Sequence, residues 1–176
     1  MKLTGLLTLT LAFSAFAEPI PKQKRALADY TGVFDKISTQ VGAVSDSVAS
    51  YVGGSTPGTD VQDAANTLVD VINDGATSVS GFDPLSNSDA LALVSPIETL
   101  TGDVGSLVDA VIDAKPNFDS DELSADVLSS LQAQKTAAEA LRDAVTPKVP
   151  EALQDIAAEL AEGIVTEINR GITAYS

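Results

Sequence analysis

Five stretches of this chain place apolar residues at steps of three and four, and clusters of glycine or proline separate most of them. Tyr30, Phe34, Ile37, Val41, Val44, Val48 and Tyr51 form the first. This spacing returns side chains to one face of an α-helix, whereas a strand would need a period of two. Gly53-Gly54-Ser55-Thr56-Pro57-Gly58 breaks the run. Val61, Ala65, Leu68, Ile72, Ala76 and Val79 form the second, with Thr59 or Asp60 as its expected cap and Gly81-Phe82-Asp83-Pro84 as its stop.

The third run begins at Asp89 and continues through Ile97, Leu100, Val104, Leu107 and Val111. Ser95-Pro96-Ile97-Glu98 lies inside it and reads as a capping box with proline at the first helical position, so a kink or fresh start is expected there. Pro116 is expected to close this helix, and Asp119-Ser120-Asp121-Glu122 to cap the next one. The fourth run is Leu123, Val127, Leu131, Gln134, Ala138, Leu141 and Val145, broken by Thr146-Pro147-Lys148-Val149-Pro150. Leu153, Ile156, Leu160, Ile164, Ile168, Ile172 and Tyr175 make the fifth. No segment alternates with period two. The expected fold is therefore all-α: a helical bundle of about five amphipathic antiparallel helices. The runs share a period but no repeated sequence, so a solenoid is not expected.

The N-terminus points to export. Lys2 precedes an apolar run from Leu3 to Phe16, and Ala15-Phe16-Ala17 is the small-x-small pattern of a signal-peptidase site. Residues 1–17 are read as a signal peptide and 18–25 as a pro-segment ending in the dibasic pair Lys24-Arg25. Residues 26–176 then form a single helical-bundle domain. That domain holds six basic residues against 24 acids, a net charge of −18. Such a charge repels phosphate backbones and anionic lipid, so neither nucleic acid nor an anionic membrane is an expected partner. There is no Asn-x-Ser/Thr acceptor. The expected location is extracellular, with cell-wall association as a further option.

Histidine and cysteine are both absent. This excludes Ser-His-Asp and Cys-His nucleophiles and the ordinary zinc sites. Asp119-Ser120-Asp121-Glu122 opens like a calcium loop, but Leu123 stands where the third ligand belongs, and helix capping explains the acids better. No carboxylate stands on an apolar face, where a raised pKa would mark a general acid. The chain is read as a non-enzyme, with no cofactor and no metal.

The apolar stripes themselves carry the remaining signal. They are rich in valine and alanine, and the chain has no tryptophan. Small side chains permit two arrangements: close helix packing, or a slot left for an apolar guest. In the slot arrangement Phe34, Ile37, Val41, Leu68, Val104, Leu107, Leu131, Ile156 and Leu160 line the guest, facing one another at mid-bundle. Gln134 is the one amide on its stripe. It has two candidate roles, a hydrogen bond to a carboxylate head group or a bond to a backbone carbonyl.

Three segments together resemble the hydrophobic surface binding protein A family of secreted fungal proteins, which includes cell-wall galactomannoproteins. They are ALADYTGVFDKISTQVGAVSDSVASYVGG from Ala26, LVDAVIDAKPNFD from Leu107, and TPKVPEALQDIAAELAEGIVTEINRGITAYS from Thr146. The resemblance spans nearly all of 26–175. It implies an all-helical domain with an apolar interior. It further implies one of two roles: binding fatty acids or related lipids, or adsorbing to hydrophobic surfaces and recruiting a secreted polyester-degrading esterase. These implications favour the slot, and the leading expectation is a secreted fatty-acid binding protein holding an acyl chain between helices.

Overall fold

A computed structural model describes residues 22–176, with side chains from Ala26 onward. The described chain is helical, without a strand. Five long helices carry the five runs: α1 (Lys22–Val52), α2 (Gly58–Ser80), α4 (Val94–Asp113), α6 (Ser124–Val145) and α7 (Gln154–Tyr175). Two short helices, α3 (Asn87–Ala92) and α5 (Lys115–Ser120), sit at the corners. Two 3-10 turns, Thr146–Lys148 and Glu151–Leu153, join α6 to α7 across Pro147 and Pro150. Signal cleavage at Ala17 falls outside the described residues. The dibasic pair Lys24-Arg25 lies in the first turns of α1, and Ala26 is already buried.

Each long helix reverses the direction of the one before it. The packing partners, however, do not follow chain order. α1 packs on α2, α2 on α6, α6 on α7, α7 on α4, and α4 back on α1. The five helices thus close into a ring. A ring of five cylinders has a wider axis than the four-helix bundle, so its centre must be filled by large side chains or left open. Here the large aromatics stand at the ends. Tyr51 stacks on Phe118 with ring centroids 4.7 Å apart, and Phe118 meets Tyr175 edge-on at 6.4 Å. At the other end Tyr30 and Phe82 meet edge-on at 5.2 Å. The middle is left mainly to Val, Leu and Ile, with Phe34 of α1 among them.

The tyrosine hydroxyls find polar partners at helix ends. Tyr175 Oη donates to the Val111 carbonyl at 2.7 Å, one of the last acceptors of α4, which lack an intrahelical partner. Tyr30 Oη donates to the Asp83 carbonyl at 3.1 Å, and Tyr51 Oη to Asp121 Oδ2 at 2.7 Å. Lys148 Nζ donates to the carbonyls of Ser80 and Phe82 at 2.9 and 2.8 Å, placing a cation at the C-terminus of α2.

Several punctuation marks act differently from the expectation. The third run breaks at Leu93, not at Ser95-Pro96. Ser86 caps α3 by accepting from the Asp89 amide at 3.2 Å, and α4 then starts directly at Val94. Leu93 is 2% exposed, so its burial holds the corner and leaves Ser95 inside the helix. Pro116 does not end the chain's helical course: it starts α5, where the missing amide costs nothing. Asp119 and Ser120 belong to α5, with Asp121 as its C-cap and Glu122 left-handed at φ 60°, so the acidic tetrad ends α5 and does not N-cap the next helix. Asp119 instead accepts from Lys115 Nζ at 2.9 Å and from the Ser124 hydroxyl. Neither Thr59 nor Asp60 caps α2, which begins one residue earlier at Gly58, after Pro57.

Candidate functional site: an apolar cavity inside the helix ring

The axis of the ring is open. A cavity of about 200 Å³ runs between the helices, lined from all seven helices, α1 to α7. Phe34, Ile37 and Val41 come from α1, Leu68 from α2, and Val104 and Leu107 from α4. Leu131 and Gln134 come from α6, and Ile156 and Leu160 from α7. The ten residues picked from the stripes therefore share one wall. Nine of them are not equivalent in depth: Ile37, Val41, Leu68, Leu107 and Leu131 are all under 5% exposed, whereas Ile156 is 48% exposed. Ile156 lies at the rim and not at mid-bundle. Leu91, 56% exposed and missed in the sequence, lines the cavity opposite chain-wise, at the α3 corner. These two apolar side chains mark a mouth between the α3 corner and the start of α7.

The reason for the mouth lies in the glycines of α4 and α7. From Gly163 onward α7 packs closely. A Cβ at Gly171 would stand 3.2 Å from Leu131 and 3.4 Å from Val108, and one at Gly163 would touch Thr101 at 3.5 Å. On the facing helix a Cβ at Gly105 would meet Glu167 at 3.5 Å. Accordingly Val165, Ile168, Gly171 and Tyr175 are buried. Before Gly163 nothing comparable draws α7 inward. Leu153, Ala157 and Leu160 stay half-buried although their stripe faces the ring. The helix is therefore seated by its C-terminal half, with its N-terminal half standing over the cavity. Arg142 on α6 reaches Glu162 at 3.4 Å, and Arg170 reaches Asp109 on α4. Both pairs are partly exposed, and contacts of this kind contribute about 0–1 kcal/mol each.

The segment Asn87–Asp113 is long and apolar enough to cross a membrane by composition alone. In the ring its apolar face packs on α1 and α7 and supplies Leu93, Ile97, Leu100, Val104, Leu107, Val108 and Val111 to the cavity wall.

Polar groups on the wall are few. Gln62 Nε2 donates to Ser130 Oγ at 3.0 Å across the α2–α6 seam. Ser130 and Gln134 are the buried polar side chains of the described core, at 9% and 7% exposure. Gln134 forms no side-chain hydrogen bond with a described residue, and it lines the cavity. The charged residues on the wall are Asp126 and Arg142. Among the described residues no three acidic groups converge as a metal site would require.

A family model described as hydrophobic surface binding protein A matches residues 27–147. The chain belongs to this family. "Cell wall mannoprotein 1" of Aspergillus fumigatus is 39% identical over 175 residues, 99% of this chain, which spans 60% of that relative's length. Among solved structures, ligand binding domain 1 of Penicillium marneffei MP1 protein, complexed with arachidonic acids, superposes with a TM-score of 0.81. It is 26% identical and covers 86% of this chain and 99% of its own. Afmp4p in complex with palmitic acid shares the fold, with a TM-score of 0.77 at 20% identity over 85% of this chain and 99% of its own. The all-α bundle expected from the five stripes is thus also the architecture of the MP1 ligand binding domain.

Proposed function

We propose that this protein is a secreted, non-enzymatic fatty-acid binding protein that holds an acyl chain along the axis of its helix ring. The observation that carries the proposal is the apolar cavity with its mouth at Leu91 and Ile156. The arachidonic acids bound by the related MP1 domain support it. In this reading Phe34, Ile37, Val41, Leu68, Val104, Leu107, Leu131, Ile156 and Leu160 contact the chain, and Gln134 meets the head group. Each methylene taken from water contributes roughly 0.8 kcal/mol before association costs, so micromolar binding, about −8 kcal/mol, is within reach of a long chain. At about 200 Å³ the cavity only modestly exceeds the ~150 Å³ that accommodates one benzene in an engineered core. A long acyl chain therefore requires a wall that yields, and the loosely seated N-terminal half of α7 is that wall. Extraction of the natural secreted protein with organic solvent, followed by lipid mass spectrometry, tests the proposal. Stoichiometric fatty acid is expected. An empty extract, together with no uptake of added fatty acid, would refute it.

A second reading rests on the exposed rim. Leu91 and Ile156 present apolar surface where α7 is least held, so the same half-helix could spread on a wax or polyester surface and recruit an esterase there. Adsorption to polyester beads by protein whose cavity is already filled with lipid would favour this reading over the first. In both readings the protein acts outside the cell, at or near the wall, after cleavage following Ala17 and Arg25.

A further inference from the structure

The polar patch of the cavity wall has a definite chemistry. Asp126, Ser130 and Gln134 lie one turn apart on the same stripe of α6, and all three line the cavity. Ser130 Oγ accepts from Gln62, so its own proton remains to be donated. The Gln134 amide supplies one acceptor and two donors, unpaired and nine-tenths buried. Positive charge is missing from this patch. Arg142, two turns beyond Gln134, is the one cation on the described wall, and it is engaged by Asp143 at 2.9 Å and Glu162 at 3.4 Å. Asp126, an exposed carboxylate, stands one turn before Ser130 on the stripe, and it is as far from Gln134 as Arg142 is. The wall residues from α1, α3, α4, α5 and α7 are all apolar, and those from α2 are uncharged.

An anionic head group in this cavity would lose its water and meet no free cation, with the carboxylate of Asp126 one turn beyond Ser130. A buried carboxylate without a paired charge is strongly disfavoured and takes up a proton instead. A protonated acid fits the patch: its O–H donates to Gln134 Oε1, and its C=O accepts from the Ser130 hydroxyl or the Gln134 amide. We propose that the cavity selects lipids with an uncharged hydrogen-bonding head, taking fatty acids in their protonated form and fatty alcohols equally well. This inference rests on the fatty-acid reading above and gives the ligand class of that site.

The linkage has a fixed sign. A carboxyl group ordinarily titrates near pH ~4–5. If the complex holds the neutral acid, affinity is greatest below that range and falls about tenfold for each pH unit above it. An alcohol has nothing to titrate. The test uses the mature protein, lauric acid and lauryl alcohol, with binding measured by calorimetry at pH 5 and pH 8 and dichroism confirming the fold at both. Lauric acid is expected to bind roughly several hundredfold more weakly at pH 8, and lauryl alcohol with the same affinity at both. Ser130→Ala combined with Gln134→Leu should weaken both lipids at pH 5 and flatten their difference from dodecane. Lauric acid bound as tightly at pH 8 as at pH 5, and more tightly than the alcohol, would overturn this inference and leave the fatty-acid reading standing. If none of the three compounds binds at either pH, both fail together.

Discussion

Replacing Val104 by phenylalanine asks whether the ring axis is open space or ordinary core. Val104 sits midway along α4, 7% exposed, on the cavity wall. Phenylalanine carries four more side-chain carbons than valine. If these enter the cavity, burial at about 0.8 kcal/mol per carbon offers roughly 3 kcal/mol as an upper bound. Side-chain ordering and imperfect fit take part of that, leaving an expected gain of about 1–2 kcal/mol. For a domain of this size the melting point should rise about 2–4 °C for each kcal/mol. The same ring displaces about four methylenes of an acyl guest. Affinity should then fall by about 3 kcal/mol, near a hundredfold. A close-packed core gives the opposite sign, an overpacking loss of about 1–3 kcal/mol. Urea melts by dichroism and titration with a fluorescent fatty acid, run on V104F and the parent, read both quantities. A destabilised V104F that binds fatty acid as well as the parent would refute the cavity argument.

Other expected outcomes follow from particular contacts. Gly171→Val should destabilise by about 1–3 kcal/mol, because even an added Cβ would stand 3.2 Å from Leu131; Gly171→Ala should be near neutral in the same melts, since helix propensity returns about 1 kcal/mol. Tyr175→Phe leaves the Val111 carbonyl without its 2.7 Å donor and should cost about 1 kcal/mol in denaturant melts with fatty-acid affinity unchanged. Thr101→Cys with Gly163→Cys joins α4 to α7 where their close seam begins. The oxidised form should be about 2–4 kcal/mol more stable than the reduced form, yet bind fatty acid equally, because opening occurs before Gly163; lost binding on oxidation would place the yielding wall elsewhere. Burial pushes the Tyr30 phenol up to about 12, as burial and the Asp121 hydrogen bond do for Tyr51. Both ionise near 10.0 when unfolded, so their stabilising effect is complete below pH 10 and lost as pH rises toward 12. Unfolding by dichroism should accompany tyrosinate absorbance across that window.

The helices were legible because burial in a bundle imposes a period of 3.6, and Tyr30 through Tyr51 obeys it turn after turn. Corners were harder. Ser86-Asn87-Ser88-Asp89 and Ser95-Pro96-Ile97-Glu98 both have the form of a capping box, and only the burial of Leu93 decides that the first is used. Gly75 and Gly171 look like weak points in helices. They are places where two helices meet: a Cβ at Gly75 would stand 2.8 Å from Val33. Ser130 and Gln62 carry no sign of their pairing, since they lie 68 positions apart. Leu91 is one leucine among many until the ring leaves it uncovered.

The sequence by itself determined the class of the fold, the inward face of each helix, and the kinds of catalysis that a chain without histidine or cysteine cannot perform. These are local properties, set by periodicity and composition within one turn or one residue type. Tertiary structure decided the rest. The ring order α1–α2–α6–α7–α4, the aromatic ends with an open middle, and the half-seated α7 all depend on contacts between residues far apart in the chain. A stripe says that a face is turned away from water. Whether that face meets a neighbouring helix or an empty axis depends on how closely the backbones approach, and that distance is set by pairs such as Gly171 and Leu131, which only the closed ring brings together.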